Sequence, residues 1–267
     1  PRLSATEVLP LELTELNYSV KGDGALLSLR LGMTADGHLG EFDVRRLRLH
    51  LAGERYVSQM LYLSLLRHLD GIQLIALDAQ GKPFTDAQGL PLPPLTLEAS
   101  TVEPIGFAED EALIPYPLNT FRGYRHLQEY FAFQEKFLFV DLGGLDALQR
   151  LPKERLEQAR GFELRFDIRK AGAQRIRPTR DNVRLYCTPV VNLFAQRADP
   201  IRVTHAAASY PVVADARRCR VGRRADARAS ARHDGAGRAQ AGADGGRKAR
   251  CGAADVARRA GRVCAGE

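Results

Sequence analysis

Apolar and polar residues alternate along several short stretches of the chain, a pattern typical of half-buried β-strands. The first two stretches, 11–20 and 25–34, flank the sequence Lys-Gly-Asp-Gly at 21–24, which predicts a β-hairpin. Over 42–51 the alternation is interrupted at 45–46, where we expect a β-bulge. Other short apolar or alternating stretches predict strands at 71–77, 96–102, 136–142, 162–169, 201–203 and 210–213.

Three further stretches favour helices. Apolar residues recur every four positions over 54–69, and over 121–131 the side chains of Tyr124, Leu127 and Phe131 share one helical face. Residues 145–160 predict a short helical connection, interrupted at Pro152. Many strands and few helices, without regular β-α alternation, predict an α+β fold with mainly antiparallel β-sheets and a few helices. We expect 1–213 to form this body, with two β-rich subdomains divided near 95–105.

The densest group of aromatic residues lies between 121 and 139. This block holds seven of the nineteen aromatic side chains in the chain, which are Phe121, Tyr124, Tyr130, Phe131, Phe133, Phe137 and Phe139. Aromatic rings at helical and strand spacing usually pack in a core, because they bury large apolar areas. We therefore expect most of the seven to be buried, with the hydroxyl groups of Tyr124 and Tyr130 able to reach a surface.

The net charge of +7 is concentrated at the C-terminus. Residues 214–267 contain fourteen basic and six acidic residues, a net charge of +8, which leaves −1 for the rest of the chain. This segment is rich in Ala, Arg and Gly and has no Leu, Ile, Met, Phe or Tyr, so it cannot bury enough apolar surface to fold. We predict a disordered tail whose composition is typical of a frameshifted or artefactual sequence. The alternatives are a real disordered tail or a basic arm that binds nucleic acid or acidic lipid.

Motifs for catalysis or metal binding are missing from the sequence. The six histidines have no metal-ligand spacing, and the chain contains neither a GxSxG nucleophile motif nor a GxxxxGK phosphate loop. Cys187 is predicted to be a buried, inert thiol, and no paired cysteine spacing suggests a zinc site or a disulfide framework. The acidic residues 109–111 are predicted to begin a helical turn. We therefore predict no catalytic, cofactor-binding or metal-binding residues.

Three stretches of the chain together resemble one protein family. They are 106–117 (GFAEDEALIPYP), 123–139 (GYRHLQEYFAFQEKFLF) and 187–194 (CTPVVNLF), and they resemble the TssF family, also called ImpG or VasA, of bacterial type VI secretion baseplates. The resemblance covers about 8–218, and one departure is Gln134, where the family usually has Pro. The family protein is much longer, so we expect this chain to correspond to its middle part. The candidate family-motif and assembly residues are Gly106, Pro115, Tyr116, Tyr124, Glu129, Tyr130, Phe131, Phe137, Cys187, Pro189, Asn192 and Phe194.

The resemblance implies a structural role without enzymatic activity, cofactor or small-molecule substrate. It implies partners of the TssG, TssK, TssE and VgrG types, together with a second TssF-like copy, in wedges around the spike hub. The implied location is cytoplasmic, at the inner-membrane-associated baseplate, with the membrane reached only through the assembled complex. No signal peptide opens the sequence, and no apolar run is long enough to span a membrane.

Two other functions are compatible with the sequence. One is nucleic-acid binding through the basic tail, although the nearly neutral body makes nucleic acid an unfavoured partner. The other is a carbohydrate- or ligand-binding β domain, which a deep, polar-lined pocket would favour.

Overall fold

The computed structural model describes residues 2–3, 7–34, 36–114, 121, 123–169, 176–191 and 260–264, with only the backbone described for 2–3 and 260–264. The strands in these residues are β1 (Arg2–Leu3), β2 (Leu11–Lys21), β3 (Gly24–Met33), β4 (Leu47–Leu51), β5 (Leu69–Leu77), β6 (Leu95–Glu98), β7 (Val102–Pro104), β8 (Phe139–Leu142), β9 (Gly161–Ile168), β10 (Val183–Leu185), β11 (Cys187–Val191) and β12 (Ala260–Cys264). The α-helices are α1 (Arg55–Arg67), α2 (Gly123–Ala132) and α3 (Lys153–Gln158). The described strands pair antiparallel throughout, which confirms the predicted α+β fold with antiparallel sheets.

The largest sheet has five strands in the order β2-β3-β9-β5-β6. Its first two strands form the predicted hairpin, and Gly22 in the turn has a φ of 53°, a conformation that a residue with a side chain adopts only with strain. Alternate residues of the central strands face the core. Leu29 of β3, Leu164 of β9 and Leu74 of β5 lie opposite one another in a buried row. The strict alternation over 162–169 therefore predicted β9 correctly.

A second sheet has four strands in the order β10-β4-β8-β7. Arg48 of β4 and Asp141 of β8 lie opposite each other and form two hydrogen bonds of 2.7 and 2.9 Å. The strand predicted over 42–51 begins only at Leu47, so the first half of that prediction, with its bulge, is wrong. Val44 and Leu47 are both buried although they are three residues apart, which the period of two in a strand does not allow.

The predicted strand 96–102 is divided between these two sheets. Strand β6 belongs to the five-stranded sheet and β7 to the four-stranded sheet, and the 3-10 helix Ala99–Thr101 joins them. Helix α1 confirms the helix predicted over 54–69, and it contacts β5 and β9 of the five-stranded sheet and β4 and β7 of the four-stranded sheet. Buried residues from both sides of 95–105 form one continuous core, and the division into subdomains stays a prediction.

The third sheet has the order β1-β11-β12, and none of its three strands was predicted. Residues 260–264 of the expected tail pair with β11, and Cys264 lies opposite Cys187 in the register. Cys187 is buried, as expected, but it is disulfide-bonded and is therefore not a free thiol. The remainder of 214–267 lies outside the described residues, as do the strands predicted at 201–203 and 210–213.

The elements predicted over 136–142 and 145–160 are both present, the first in shortened form. The strand predicted over 136–142 is shortened to β8, because the 3-10 helix Gln134–Phe137 takes up its beginning. The connection 145–160 consists of the 3-10 helix Leu145–Arg150 and then α3, separated at Pro152 as predicted.

Candidate protein-binding surface

Most of the aromatic block is exposed rather than buried. The exposed fractions are 73% for Phe121, 57% for Tyr124, 40% for Tyr130 and 78% for Phe131, while Phe133 is half-buried. Only Phe137 and Phe139 are buried. The prediction that most of the seven rings belong to the core is therefore wrong. An exposed cluster of this kind indicates an interaction surface, because soluble proteins rarely leave several large aromatic rings in contact with water.

Helix α2 is amphipathic, but its charged side chains face inward and its large apolar side chains face outward. Its two residues with a full formal charge, Arg125 and Glu129, are buried one helical turn apart. The opposite face exposes Leu127 together with Tyr124 and Phe131, so the predicted apolar face exists but points away from the core. A buried charge is costly unless it has a counter-charge or hydrogen-bond partners, and both Arg125 and Glu129 have such partners.

Glu129 is the centre of a buried polar network. One of its carboxylate oxygens accepts hydrogen bonds from the backbone N–H groups of Leu113 (2.9 Å) and Ile114 (3.0 Å). The other oxygen pairs with the ammonium group of Lys136, which is only 1% exposed. Burial lowers the pKa of Lys136, and the hydrogen bond to Glu129 opposes this shift by favouring the charged form. The network therefore ties α2 to the loop before it and to the 3-10 helix after it.

Arg125 makes a second connection between α2 and the same loop. Its Nη2 atom donates to the carbonyl oxygens of Phe107 (3.4 Å) and Ala108 (3.3 Å), and it lies 3.0 Å from Nε2 of His126. Because the charged side chains satisfy backbone groups of the loop, α2 is held with its aromatic face outward. Arg125 thus has a positioning role for the exposed surface.

The loop 105–114 has its own internal support. The Glu111 carboxylate accepts hydrogen bonds from the backbone N–H groups of Gly106 (2.8 Å) and Ala108 (3.0 Å). Gly106 has a φ of 107°, and a Cβ atom there would lie 3.1 Å from the carbonyl oxygen of Lys136. The acidic residues 109–111 lie in a turn in which the N–H group of Ala112 donates to the carbonyl oxygen of Glu109 (3.3 Å), so a turn forms where one was predicted. Glu111 therefore holds the backbone of the loop in place.

Ring contacts connect the loop, the helix and the segment after it. Phe107 lies 5.7 Å from His126 and 5.1 Å from Phe137, measured between ring centroids. Phe137 lies 6.0 Å from Tyr130, whose ring is 5.6 Å from that of Phe131. The rings form a continuous layer from the buried Phe137 to the exposed Phe131. The exposed rings of Tyr130 and Phe131 are therefore connected to the buried ring of Phe137, while Phe121 and Tyr124 contact each other with ring centroids 5.6 Å apart.

A groove lies between α1 and α2, beside this aromatic layer, with a volume of about 570 Å³. Helix α1 contributes Arg55, Gln59 and Tyr62, and α2 contributes Leu127 and Tyr130. The groove residues not yet named for it are Leu51, Ala52, Gly53, Ser58, Phe107, His126, Gln134, Glu135, Phe137 and Leu138. Its lining is mainly aliphatic and aromatic, so it is unlike the polar-lined pocket expected of a carbohydrate-binding domain.

The structure brings together some of the candidate residues and separates others. The residues Gly106, Glu129, Tyr130 and Phe137 meet around the loop 105–114 and α2, whereas β11 carries Cys187 and Pro189 in another sheet. The candidates outside the described residues are Pro115, Tyr116, Asn192 and Phe194.

Three features of the surface were not predicted, namely Arg125, Lys136 and the side of α1 that lines the groove. The signal for Arg125 was present in the sequence, because Arg125 and Glu129 have the i, i+4 spacing of one helical face, opposite the aromatic stripe. Nothing in the sequence links Lys136 to Glu129 or places α1 beside α2, since both relations depend on the tertiary fold.

Within the part of the chain that the structure describes, no group of three His, Cys, Asp or Glu side chains could hold a metal ion. In those ranges no helix is long and apolar enough to cross a membrane. The exposed aromatic face and the groove are thus the strongest candidate site in the described residues.

Comparison with known proteins identifies the family. A family model described as "Type VI secretion system, TssF" matches residues 4–223 of the 267 in the chain. The chain belongs to the TssF family. The match includes the loop 105–114, α2 and β11, and it ends ten residues into the segment 214–267 that was predicted to be a tail.

Two relatives show how much of the family protein this chain represents. It is 38% identical over 122 residues to the type VI secretion system component TssF1 of Pseudomonas aeruginosa, an alignment that covers 45% of this chain and 19% of that protein. It also resembles a chain in a cryo-electron microscopy structure of a type VI secretion TssK-TssF-TssG baseplate subcomplex, with a TM-score of 0.55 and 28% sequence identity. That similarity covers 78% of this chain and 36% of the other. The chain therefore spans about a fifth to a third of the relatives it matches.

Proposed function

We propose that this TssF-family chain is a structural part of a type VI secretion baseplate, where it binds subunits of the TssG and TssK types. The main support is the exposed aromatic face of α2, in a chain whose solved relative was determined with TssK and TssG. Interface cores are enriched in aromatic residues and depleted of charged ones, as this face is. The proposed role requires no chemical reaction, and the chain acts as an assembly component without enzymatic activity.

The fuller proposal follows from the family resemblance. The chain contributes to wedges that also contain TssE-type and VgrG-type proteins and a second TssF-like copy, arranged around the spike hub. This assembly lies in the cytoplasm at the inner membrane, and the chain reaches the membrane only through its partners. The buried network of Arg125, Glu129 and Lys136 serves this role by fixing α2 on the surface of the body.

Co-purification tests this proposal. The full 267-residue chain carries an affinity tag and is co-expressed with the TssG-type and TssK-type subunits of the same secretion system. We expect both subunits to be retained at a constant ratio through size-exclusion chromatography. Loss of both partners, with the tagged chain itself folded by circular dichroism, would overturn the proposal.

A nucleic-acid control accompanies this experiment, because the segment 214–267 carries a net charge of +8. Polynucleotide binding that depends steeply on salt and disappears when this segment is removed would instead favour the function through the basic tail. We expect no such binding at physiological salt from the nearly neutral body.

A further inference from the structure

We propose that residues 90–94 (Leu-Pro-Leu-Pro-Pro) form a docking segment that binds an aromatic-lined groove on a baseplate subunit. The segment belongs to the connection between β5 and β6, and none of its residues lines the groove between α1 and α2. This inference rests on the proposed function, because the partner is taken from the same assembly. It deepens that function by adding a second contact site and the chemistry of what this site binds.

The connection between β5 and β6 contains two copies of one turn. Residues 78–83 (Asp-Ala-Gln-Gly-Lys-Pro) and 86–91 (Asp-Ala-Gln-Gly-Leu-Pro) are identical at five of six positions. In each copy one carboxylate oxygen of the aspartate accepts hydrogen bonds from the backbone N–H groups two and four residues later, at 2.8 or 2.9 Å. The glycine of each copy has a positive φ, 71° for Gly81 and 80° for Gly89. The two copies therefore fold alike.

The two copies differ at the fifth position, which is Lys82 in the first and Leu90 in the second. Leu90 is 63% exposed, so the turn leaves most of this apolar side chain in water. A single exposed leucine is common on protein surfaces, but this one continues into the exposed residues Pro91, Pro93 and Pro94. Because the first copy forms the same turn with lysine, folding of the turn does not require this apolar patch.

The three prolines give the docking segment an extended, preset backbone. Proline fixes φ at about −65° and has no N–H group, so these residues favour the polyproline II conformation and cannot donate to a neighbouring strand. Leu92, between them, is half-buried, and its N–H group donates to the carbonyl oxygen of Phe84 (2.8 Å). Leu92 therefore holds the segment against the rest of the connection, while Leu90 and the prolines remain exposed.

Helix α3 supports the same connection. The guanidinium carbon of Arg155 lies 5.9 Å from the centroid of the Phe84 ring, and Nη1 of Arg155 donates to the carbonyl oxygen of Thr85 (3.2 Å). Phe84 also packs against the main hydrophobic core. A segment that is anchored in this way loses little conformational entropy on binding, which favours affinity.

The composition of the docking segment determines the kind of partner that it fits. Residues 87–94 carry no charged side chain, so nucleic acid and acidic lipid find no ion pairs there. The carboxylates of Asp78 and Asp86 are turned towards the backbone of their own copies. Proline-rich segments in the polyproline II conformation bind grooves lined by aromatic side chains, because the binding backbone is already extended. We therefore expect the partner to present such a groove.

Site-specific photocrosslinking tests the contact. A p-benzoylphenylalanine replaces Leu90, and the matched control replaces Lys82, the equivalent position of the first copy. The full chain is co-purified with TssG-type and TssK-type subunits and irradiated, and mass spectrometry locates the crosslinked residue on the subunit. We expect a covalent product with one of the two subunits, at a site surrounded by aromatic side chains, and a much lower yield from position 82.

The outcomes separate this inference from the proposed function. If both subunits co-purify but no product forms from position 90, the inference is overturned and the proposed function stands. Equal yields from positions 90 and 82, or a crosslinked site away from aromatic side chains, have the same meaning. Flotation of the full chain with phosphatidylethanolamine–phosphatidylglycerol vesicles that Leu90→Lys abolishes would make the segment a membrane contact and overturn the inference. Failure of co-purification itself overturns both.

Exchanging the fifth residues of the two copies provides an independent test. Leu90→Lys gives the second copy the sequence of the first, and Lys82→Leu makes the reciprocal change, so each variant keeps a turn sequence that already occurs in this chain. We expect Leu90→Lys to raise the Kd for the subunit that crosslinks to position 90 by about tenfold or more, since burial of a leucine side chain contributes about that much to affinity. Lys82→Leu should leave this Kd unchanged, and both variants should keep the urea midpoint of the wild type. Equal effects of the two variants on the Kd contradict the inference.

A double variant covers the case in which Leu90→Lys does not fold. Pro93→Ala combined with Pro94→Ala leaves both turns intact and removes two rings of the docking segment. We expect weaker binding of the same subunit, and an unchanged Kd for this variant contradicts the inference.

Discussion

Phe131 and Phe139 belong to the same aromatic block, but they should respond very differently to truncation. Phe131 is 78% exposed on α2, whereas Phe139 of β8 is 1% exposed and its ring centroid lies 4.3 Å from that of His50. The sequence alone predicts a core position for both rings. Replacing each with alanine therefore measures whether the outward orientation of α2 is correct.

The expected magnitudes follow from buried area. Roughly a fifth of the Phe131 side chain is covered, which is about 45 Å² of apolar surface and about 1 kcal/mol of unfolding free energy at ~25 cal/mol per Å². Nearly the whole Phe139 side chain is covered, and Phe→Ala at such core positions costs about 3–5 kcal/mol. We expect the two variants to differ in unfolding free energy by at least about 2 kcal/mol.

Urea unfolding of the full chain, followed by far-UV circular dichroism, provides the measurement. The midpoint of Phe131→Ala should lie close to that of the wild type with an unchanged slope, and the midpoint of Phe139→Ala should be clearly lower. A loss of more than about 2 kcal/mol in Phe131→Ala would show that this ring is packed, and the assignment of α2 as an exposed aromatic face would then be wrong.

Three further predictions concern the support of this surface and one strand of the largest sheet. Lys136→Met should lower the unfolding free energy by about 3–5 kcal/mol, because it leaves the buried Glu129 carboxylate without its cation. Adding Glu129→Gln should recover part of this loss. A loss below about 1 kcal/mol for Lys136→Met in urea unfolding would contradict the buried pairing of Lys136 with Glu129. Gly106→Ala should cost about 1–3 kcal/mol in the same assay because of its positive φ, and an unchanged midpoint would refute this. Burial raises the pKa of Tyr18 to about 12, from an ordinary value near 10, so its contribution to stability is complete below pH 10 and is lost as the pH rises towards 12. Stability measured at pH 9 to 12 should therefore fall more steeply in the wild type than in Tyr18→Phe, and parallel curves would exclude this effect.

Local patterns predicted much of the fold. The hairpin of β2 and β3, strand β9 and helix α1 all follow from periodicity and turn residues, because each buries one face against a neighbour. The strand at 42–51 failed at its beginning, where Val44 and Leu47 enter the core at a spacing that no regular strand provides. The strand at 96–102 failed because the chain changes sheets there, which a local pattern does not encode.

The candidate surface was predicted in position but not in orientation. The spacing of Tyr124, Leu127 and Phe131 gave the correct helical face, and the usual rule that an apolar face points inward gave the wrong direction. The orientation of α2 is set by hydrogen bonds from the backbone N–H groups of residues 113–114 to Glu129 and from Arg125 to the carbonyl groups of 107–108. These partners lie up to eighteen residues away in the sequence, and their proximity arises only from the tertiary fold.

The central claim is that the outward aromatic face of α2 binds a baseplate subunit. The most direct test is the Kd of the full chain for each of the purified TssG-type and TssK-type subunits, compared with the Kd values of the Phe131→Ala variant, measured by biolayer interferometry. The account predicts at least a tenfold weaker affinity, or about 1.4 kcal/mol, for a variant that loses no more than about 1 kcal/mol of unfolding free energy. Affinities within twofold of the wild-type values for both subunits, with a variant that is folded, would contradict the claim.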